Sequence, residues 1–217
     1  MTATTNARSR RAARTMEVMH ELYPGADCAL DYAGAHELLF ATILSAQTTD
    51  ATVNKVTAEL FRTYRTVDDF ANADPETFQE LIRSTGFYRN KTKHVIGAAR
   101  KIVAEHDGEV PDTMEELVQL PGVARKTANV VLGTYFKKPS GFVVDTHVKR
   151  VAYRIGLTDE KRPEKVEEDL MEVFPRDEWI FLGHALIHHG RKICDARNPQ
   201  CGRCPLSDAC LQRGVKK

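Results

Sequence analysis

The sequence predicts an all-α protein of about ten helices with short connections. Three observations carry this. Apolar residues recur at i, i+3, i+4 and i+7 almost throughout; Gly and Pro fall where helices would start and stop; and no stretch keeps a period-2 alternation beyond a few residues. In chain order, Pro24-Gly25 closes a first helix. Asp74-Pro75 opens another, with an Asp cap and Pro in the first turn, and Gly86 ends a helix soon after. Val95, Ile96, Ala99, Ile102 and Val103 share one helical face that runs out at Gly108, and Val110-Pro111-Asp112 reads as a further start. Val130 and Val131 with Thr134 and Tyr135 repeat the spacing. Residues 141–144 (GFVV) fit a short extended link. Ile180, His184, Ile187 and His188 mark the last long helix, which Gly190 is expected to stop, with His184, His188 and His189 as packing groups. No internal repeat is evident, and Lys137-Lys138-Pro139-Ser140-Gly141 is the best place for the chain to cross between domains.

Composition excludes several classes. The chain has 217 residues, 42% hydrophobic and 28% charged, with a net charge of +1, which is too apolar and too neutral for a disordered chain. Its longest apolar runs, such as 38–44, are far short of the ~20 residues a bilayer span needs, so no membrane association is expected. The charge is unevenly placed. Residues 1–15 hold Arg8, Arg10, Arg11 and Arg14 and no acid, while 191–217 hold seven bases and two acids. Two basic ends around an acidic body would make one positive face if they met in space, and such a face suits a polyanion. The Arg-, Thr- and Ala-rich start resembles a transit peptide faintly; a basic arm on a cytoplasmic, monomeric protein is the expectation, with organelle targeting left open.

Residues 117–131 read LVQLPGVARKTANVV. A helix runs into Leu120, a tight turn follows, and a second helix begins at Arg125. Pro121 fixes one dihedral and Gly122 permits a positive φ or a close approach. The new helix offers unpaired N–H groups and a partial positive charge, together an anion site that a DNA phosphate would suit. Such a contact positions DNA without reading sequence. A Pro-Gly turn alone is an ordinary corner. The ten residues Leu120 to Asn129 are more specific and look like the helix–hairpin–helix motif of DNA repair glycosylases, with Ala124 where the commonest form has a second glycine.

Lys126 lies in the first turn of the second hairpin helix, and Asp145, in Val144-Asp145-Thr146-His147, reads as a helix cap. A lysine attacks only as the neutral amine, whereas the free side chain is a cation at neutral pH. A helix N-terminus disfavours that cation slightly, and desolvation by a bound substrate would add to this. A nearby carboxylate stabilises the cation instead. It belongs there only if it also works in the reaction, by accepting a proton or steadying positive charge on a sugar.

Four of the five cysteines lie near the C-terminus, as Cys194-x6-Cys201-x2-Cys204-x5-Cys210, while Cys28 stands alone and is expected to be a buried small hydrophobe. Four clustered thiols call for a metal. Zinc usually takes two paired C-x2-C knuckles and only one is present; a [4Fe–4S] cluster accepts more varied spacing, so spacing alone leaves both open. Arg191, Lys192, Arg197 and Arg203 surround the loop and could balance a cluster or meet phosphates.

Together, 44–50 (LSAQTTD), the hairpin through Asn129, Val144-Asp145-Thr146-His147 and the cysteine tail closely resemble the endonuclease III family of DNA glycosylase/AP lyases, over nearly the whole chain. The resemblance implies two helical domains with a DNA cleft between them. One is a six-helix barrel at 27–138 containing the helix–hairpin–helix (about 113–133). The other is an iron–sulfur domain made from both termini, 1–26 and 139–217, which would bring the basic ends together. It implies a [4Fe–4S] cofactor on Cys194, Cys201, Cys204 and Cys210, and duplex DNA with damaged pyrimidines or abasic sites as substrate. Lys126 is implied as the nucleophile that displaces the base at C1′, with Asp145 facing it; elimination then cuts the strand 3′ to the site. Gln47 is implied to fill the space left by the flipped base. Phe87 stands where a leucine wedge occurs in the best-known members. Gly122, Ala124, Arg125, His147 and Arg191 complete the implied DNA contacts. A monofunctional relative would lack the lysine at 126; a non-catalytic DNA-binding or redox module is the rival from another class.

Overall fold

The computed structural model describes residues 3–215, with side chains from residue 7 to 215. The expected cluster domain also takes in Met1, Thr2, Lys216 and Lys217, which lie outside the described residues. Helices and short 3-10 turns account for the regular structure, and no strand occurs among the described residues. The chain divides into two compact units: Ala29–Ser140, and Met1–Cys28 with Gly141–Lys217.

The Ala29–Ser140 unit contains α2 (Ala35–Leu44), α3 (Asp50–Thr63), α4 (Val67–Ala71), α5 (Pro75–Ile82), α6 (Tyr88–Glu105), α7 (Met114–Leu117) and α8 (Arg125–Thr134). Caps set the starts. Thr49 caps α3, Thr66 and Asp69 form a reciprocal capping box on α4, and Asp74 caps α5 with Pro75 in the first turn. The long helix α6 packs against α4 and α5, and α8 against α2. Phe70 of α4 is fully buried in a ring of aromatics: Phe40 at 4.5 Å, Tyr64 at 5.3 Å and Phe78 at 6.1 Å between centroids.

The other unit contains α1 (Ala3–Leu22), α9 (Thr146–Ile155), α10 (Pro163–Val173) and α11 (Trp179–Lys192), followed by the cysteine loop. Its core joins Val18 and Met19 of α1 to Phe142, Val148, Val151, Leu170, Leu182, Leu186 and Leu206. Residues 141–144 form a buried link without regular secondary structure.

Three expectations are corrected. Gly190 does not stop a helix, because α11 continues to Lys192; it is small because a Cβ there would meet the His147 Cβ at 2.9 Å. The start read at Val110-Pro111-Asp112 falls instead at Met114, capped by the Thr113 hydroxyl, while the Asp112 carboxylate pairs with Lys138. Cys28 is half-buried rather than buried.

Two measurements check this packing. Phe70→Ala removes the centre of the aromatic ring and should cost about 3–5 kcal/mol in chemical denaturation. Lys91 of α6 is 4% exposed, and burial pushes its ammonium down to about 8. Between that value and the ordinary lysine range the unfolded chain binds more protons, so stability rises with pH there. The stability of the wild type relative to Lys91→Met should therefore climb from about pH 8 to 10.5 and be flat below.

Candidate active site

In the Ala29–Ser140 unit the hairpin is anchored from within. Leu117, Leu120, Val123 and Ala128 are buried on both sides of the turn. Gly122 has φ +78, and a Cβ there would lie 2.6 Å from the His94 Cβ, so only glycine fits. Pro121 packs on Gly97 of α6, where an added Cβ would come within 3.3 Å of its ring. Ala124 is extended (φ −88, ψ 168), so the alanine that replaces a second glycine requires no positive φ. It offers no side-chain cap, and the N–H groups of Lys126 and Thr127 have no partner among the described residues. Two amides and a helix dipole therefore face outward beside the exposed Arg125 and Lys126. The Lys126 ammonium makes no hydrogen bond or ion pair among the described residues.

Gln47 and Phe87 stand on two loops of the same unit. Both are exposed, Phe87 by 66%, and both hold left-handed backbones, φ 55 and φ 48. Such strain costs roughly 1–3 kcal/mol per residue and persists only where the surroundings impose it.

In the other unit Asp145 caps α9. Its Oδ1 accepts the Val148 N–H at 2.8 Å, and the buried Val144 and Val148 hold the backbone on either side. Oδ2 has no partner among the described residues. His147 is tied to α9 itself, its Nδ1 lying 3.2 Å from the Arg150 guanidinium. Arg150 also donates to the carbonyls of Gly190 (2.9 Å) and Cys194 (3.1 Å). Arg154, 7% exposed, donates to Asp195 O (2.6 Å), Ala196 O (2.9 Å) and Cys194 Sγ (3.4 Å). One helix thus carries the carboxylate at its start and fastens the cysteine loop along its length. Sequence reasoning missed both arginines, although their i, i+4 spacing puts them on one face.

The four cysteines are all free thiols and line one pocket with an empty volume of about 390 Å³, part of it open to solvent. Burial raises the Cys204 and Cys210 thiols above their usual range, and the neighbouring cysteines push the same way. These two become thiolates only beside compensating positive charge. Soft donors, a void between them and a guanidinium on one sulfur fit a polynuclear iron cluster. His189 is buried beside Cys204, its Nε2 3.6 Å from the sulfur, and burial pushes its imidazole down to about 4, as for a packing group. Arg191, Lys192, Arg197 and Arg203 are exposed, with Lys192 lying 5.6 Å over the Tyr23 ring.

Three of the four N-terminal arginines are tied down, which narrows the positive face expected from both ends. Arg8 donates to Leu157 O and Asp169 O, Arg11 to Gly156 O, and Arg14 pairs with Glu17 and Asp208. These three staple α1 to segments beyond residue 150, while Arg10 remains exposed.

Residues 40–176 match the family of HhH-GPD superfamily base excision DNA repair proteins, and residues 194–210 match the iron-sulfur binding domain of endonuclease III. The endonuclease III of Synechocystis sp. is 52% identical over 204 residues, covering 94% of this chain and 93% of that protein. That of Bacillus subtilis is 42% identical, covering 91% and 90%. The structure of a trapped endonuclease III–DNA covalent intermediate superposes with a TM-score of 0.89 at 40% identity, covering 98% of this chain and 97% of that one. A [4Fe–4S] cluster is accordingly the cofactor. With the hairpin, the helix order and the cysteine loop all matched, this chain belongs to the endonuclease III family.

Proposed function

We propose that this chain removes oxidised pyrimidines from duplex DNA and then cuts the strand 3′ to the abasic site, with Lys126 as nucleophile and Asp145 as its carboxylate partner in the reaction. As a family member it is a bifunctional DNA glycosylase and abasic-site lyase of base excision repair that binds DNA. The observation that carries the assignment of Lys126 is its place: an exposed, unpartnered amine in the first turn of α8, beside two outward amides that suit a phosphate.

The chemistry follows from these groups. The neutral Lys126 amine forms a bond to C1′ as the glycosidic bond breaks, and the base departs with a proton. The ring opens to a Schiff base. Loss of a proton from C2′ then expels the 3′ oxygen and cuts the strand. Asp145, with one oxygen fixed by the Val148 amide, has the other available to take a proton or to steady the cationic sugar. Gly122, Ala124 and Arg125 hold the backbone phosphate. Gln47 and Phe87 enter the stack as the base leaves it, and His147 and Arg191 add contacts. Cys194, Cys201, Cys204 and Cys210 hold the [4Fe–4S] cluster, which supplies a rigid, charged fold element; the reaction steps belong to the side chains. The Ala29–Ser140 unit serves as the helix–hairpin–helix domain and the other as the cluster domain, in a monomeric, nucleoid-associated protein.

Two tests follow. Borohydride should link the wild type covalently to DNA carrying an abasic site or a damaged pyrimidine, and Lys126→Ala should abolish the link while helix content is unchanged. Persistence of the adduct moves the nucleophile elsewhere. Purified protein should be yellow-brown and hold about four irons with matching sulfide. Cys204→Ser should lose the colour and most of the iron; zinc alone in anaerobically prepared protein would reject the assignment.

A further inference from the structure

Lys91 is the one lysine fully withdrawn from solvent among the described residues, yet it has no carboxylate partner. Its ammonium donates instead to two oxygens, the Thr48 hydroxyl at 2.8 Å and the Thr85 carbonyl at 2.7 Å. The Thr48 hydroxyl in turn donates to the same Thr85 carbonyl. Thr48 follows Gln47 directly, and Thr85 is two residues before Phe87. One buried cation therefore ties together two of the loops that carry an exposed side chain on a left-handed backbone, those of Gln47 and Phe87. Simple packing does not call for this. An apolar side chain at 91 would continue the face made by Val95, Ala98 and Ile102 without the cost of burying a charge. Strained conformations of this kind last only where neighbours dictate them, and a three-way bond among Lys91, Thr48 and Thr85 is such a constraint.

We propose that Lys91 is a positioning residue for base extrusion: it locks the Gln47 and Phe87 loops into one rigid two-pronged element, so that both prongs enter the duplex together. The inference rests on the reading of Gln47 and Phe87 as groups that enter the stack. It assigns Lys91 no contact with DNA and no part in bond breaking. Its loss therefore bears on steps that need a duplex to be opened, and spares chemistry on a site that is already open.

The experiment compares wild type and Lys91→Met, which keeps the length of the side chain and removes charge and donors. Single-turnover excision is followed on a duplex with a damaged pyrimidine beside 2-aminopurine, whose fluorescence reports unstacking. Strand cleavage is followed in parallel on single-stranded DNA with a preformed abasic site. Lys91→Met should lose about 100-fold in duplex excision together with the fluorescence rise, and retain single-strand cleavage. In a Gln47→Ala/Phe87→Ala background the same substitution should add almost nothing, because the prongs it holds are gone. If Lys91→Met does not fold, Thr48→Val, which removes the hydroxyl from the three-way bond, is read in the same way. Equal loss on both substrates, or a full additional loss in the double-alanine background, overturns the positioning role and leaves a purely structural lysine. A wild type that neither excises nor cleaves overturns the functional reading itself, and this inference with it.

Discussion

The turn at Gly122 decides which way Lys126 points. Its φ of +78 and its close approach to His94 leave no room for a side chain, and Leu120 and Val123 bury the residues on either side. The start of α8 is therefore fixed to the residue. In an α-helix a slip of one position turns a side chain by ~100°, so an extra or missing residue in this turn would swing Lys126 away and bring Arg125 or Thr127 into its place. A lysine cannot serve as a nucleophile, since its chemistry depends on reach and desolvation, unless the backbone behind it is held this firmly. Here the firmness comes from apolar burial and one obligatory glycine, and Arg125 and Lys126 are left exposed.

A comparable economy governs the second unit. Helix α9 begins at the Asp145 cap, and its Arg150 and Arg154 take up carbonyls of the cysteine loop before it ends at Gly156. The loop has little regular structure of its own, so its shape depends on these donors and on the [4Fe–4S] cofactor. The arginines of α1 act in a related way, closing the first helix onto segments far along the chain.

How much of this was legible in the sequence depended on the range of the interaction. Local signals were readable: the Asp74-Pro75 start, the cap at Asp145, the Pro-Gly turn and the cysteine spacing each depend on neighbours a few residues away. Partners distant in sequence were not. Arg8, Arg11 and Arg14 look like a free basic arm because Leu157, Gly156 and Asp208 come into view only once the chain is folded. Gly190 reads as a helix stop because a glycine required by a neighbouring helix looks the same as one required by a turn. Lys91 does carry a readable signal: it stands four residues before Val95 and eleven before Ile102, on the apolar face of its helix. A charge at such a position marks a buried group with specific partners. The left-handed backbones at Gln47 and Phe87 have none, since neither residue is one that chooses that conformation unaided.

The most direct test is to identify the residue that bonds to the sugar. Wild-type protein is reduced with borohydride on DNA carrying an abasic site, digested, and mapped by mass spectrometry. The deoxyribose remnant is expected on the peptide containing Lys126, at that side chain alone. A remnant on another lysine, or on the terminal amine, contradicts the assignment.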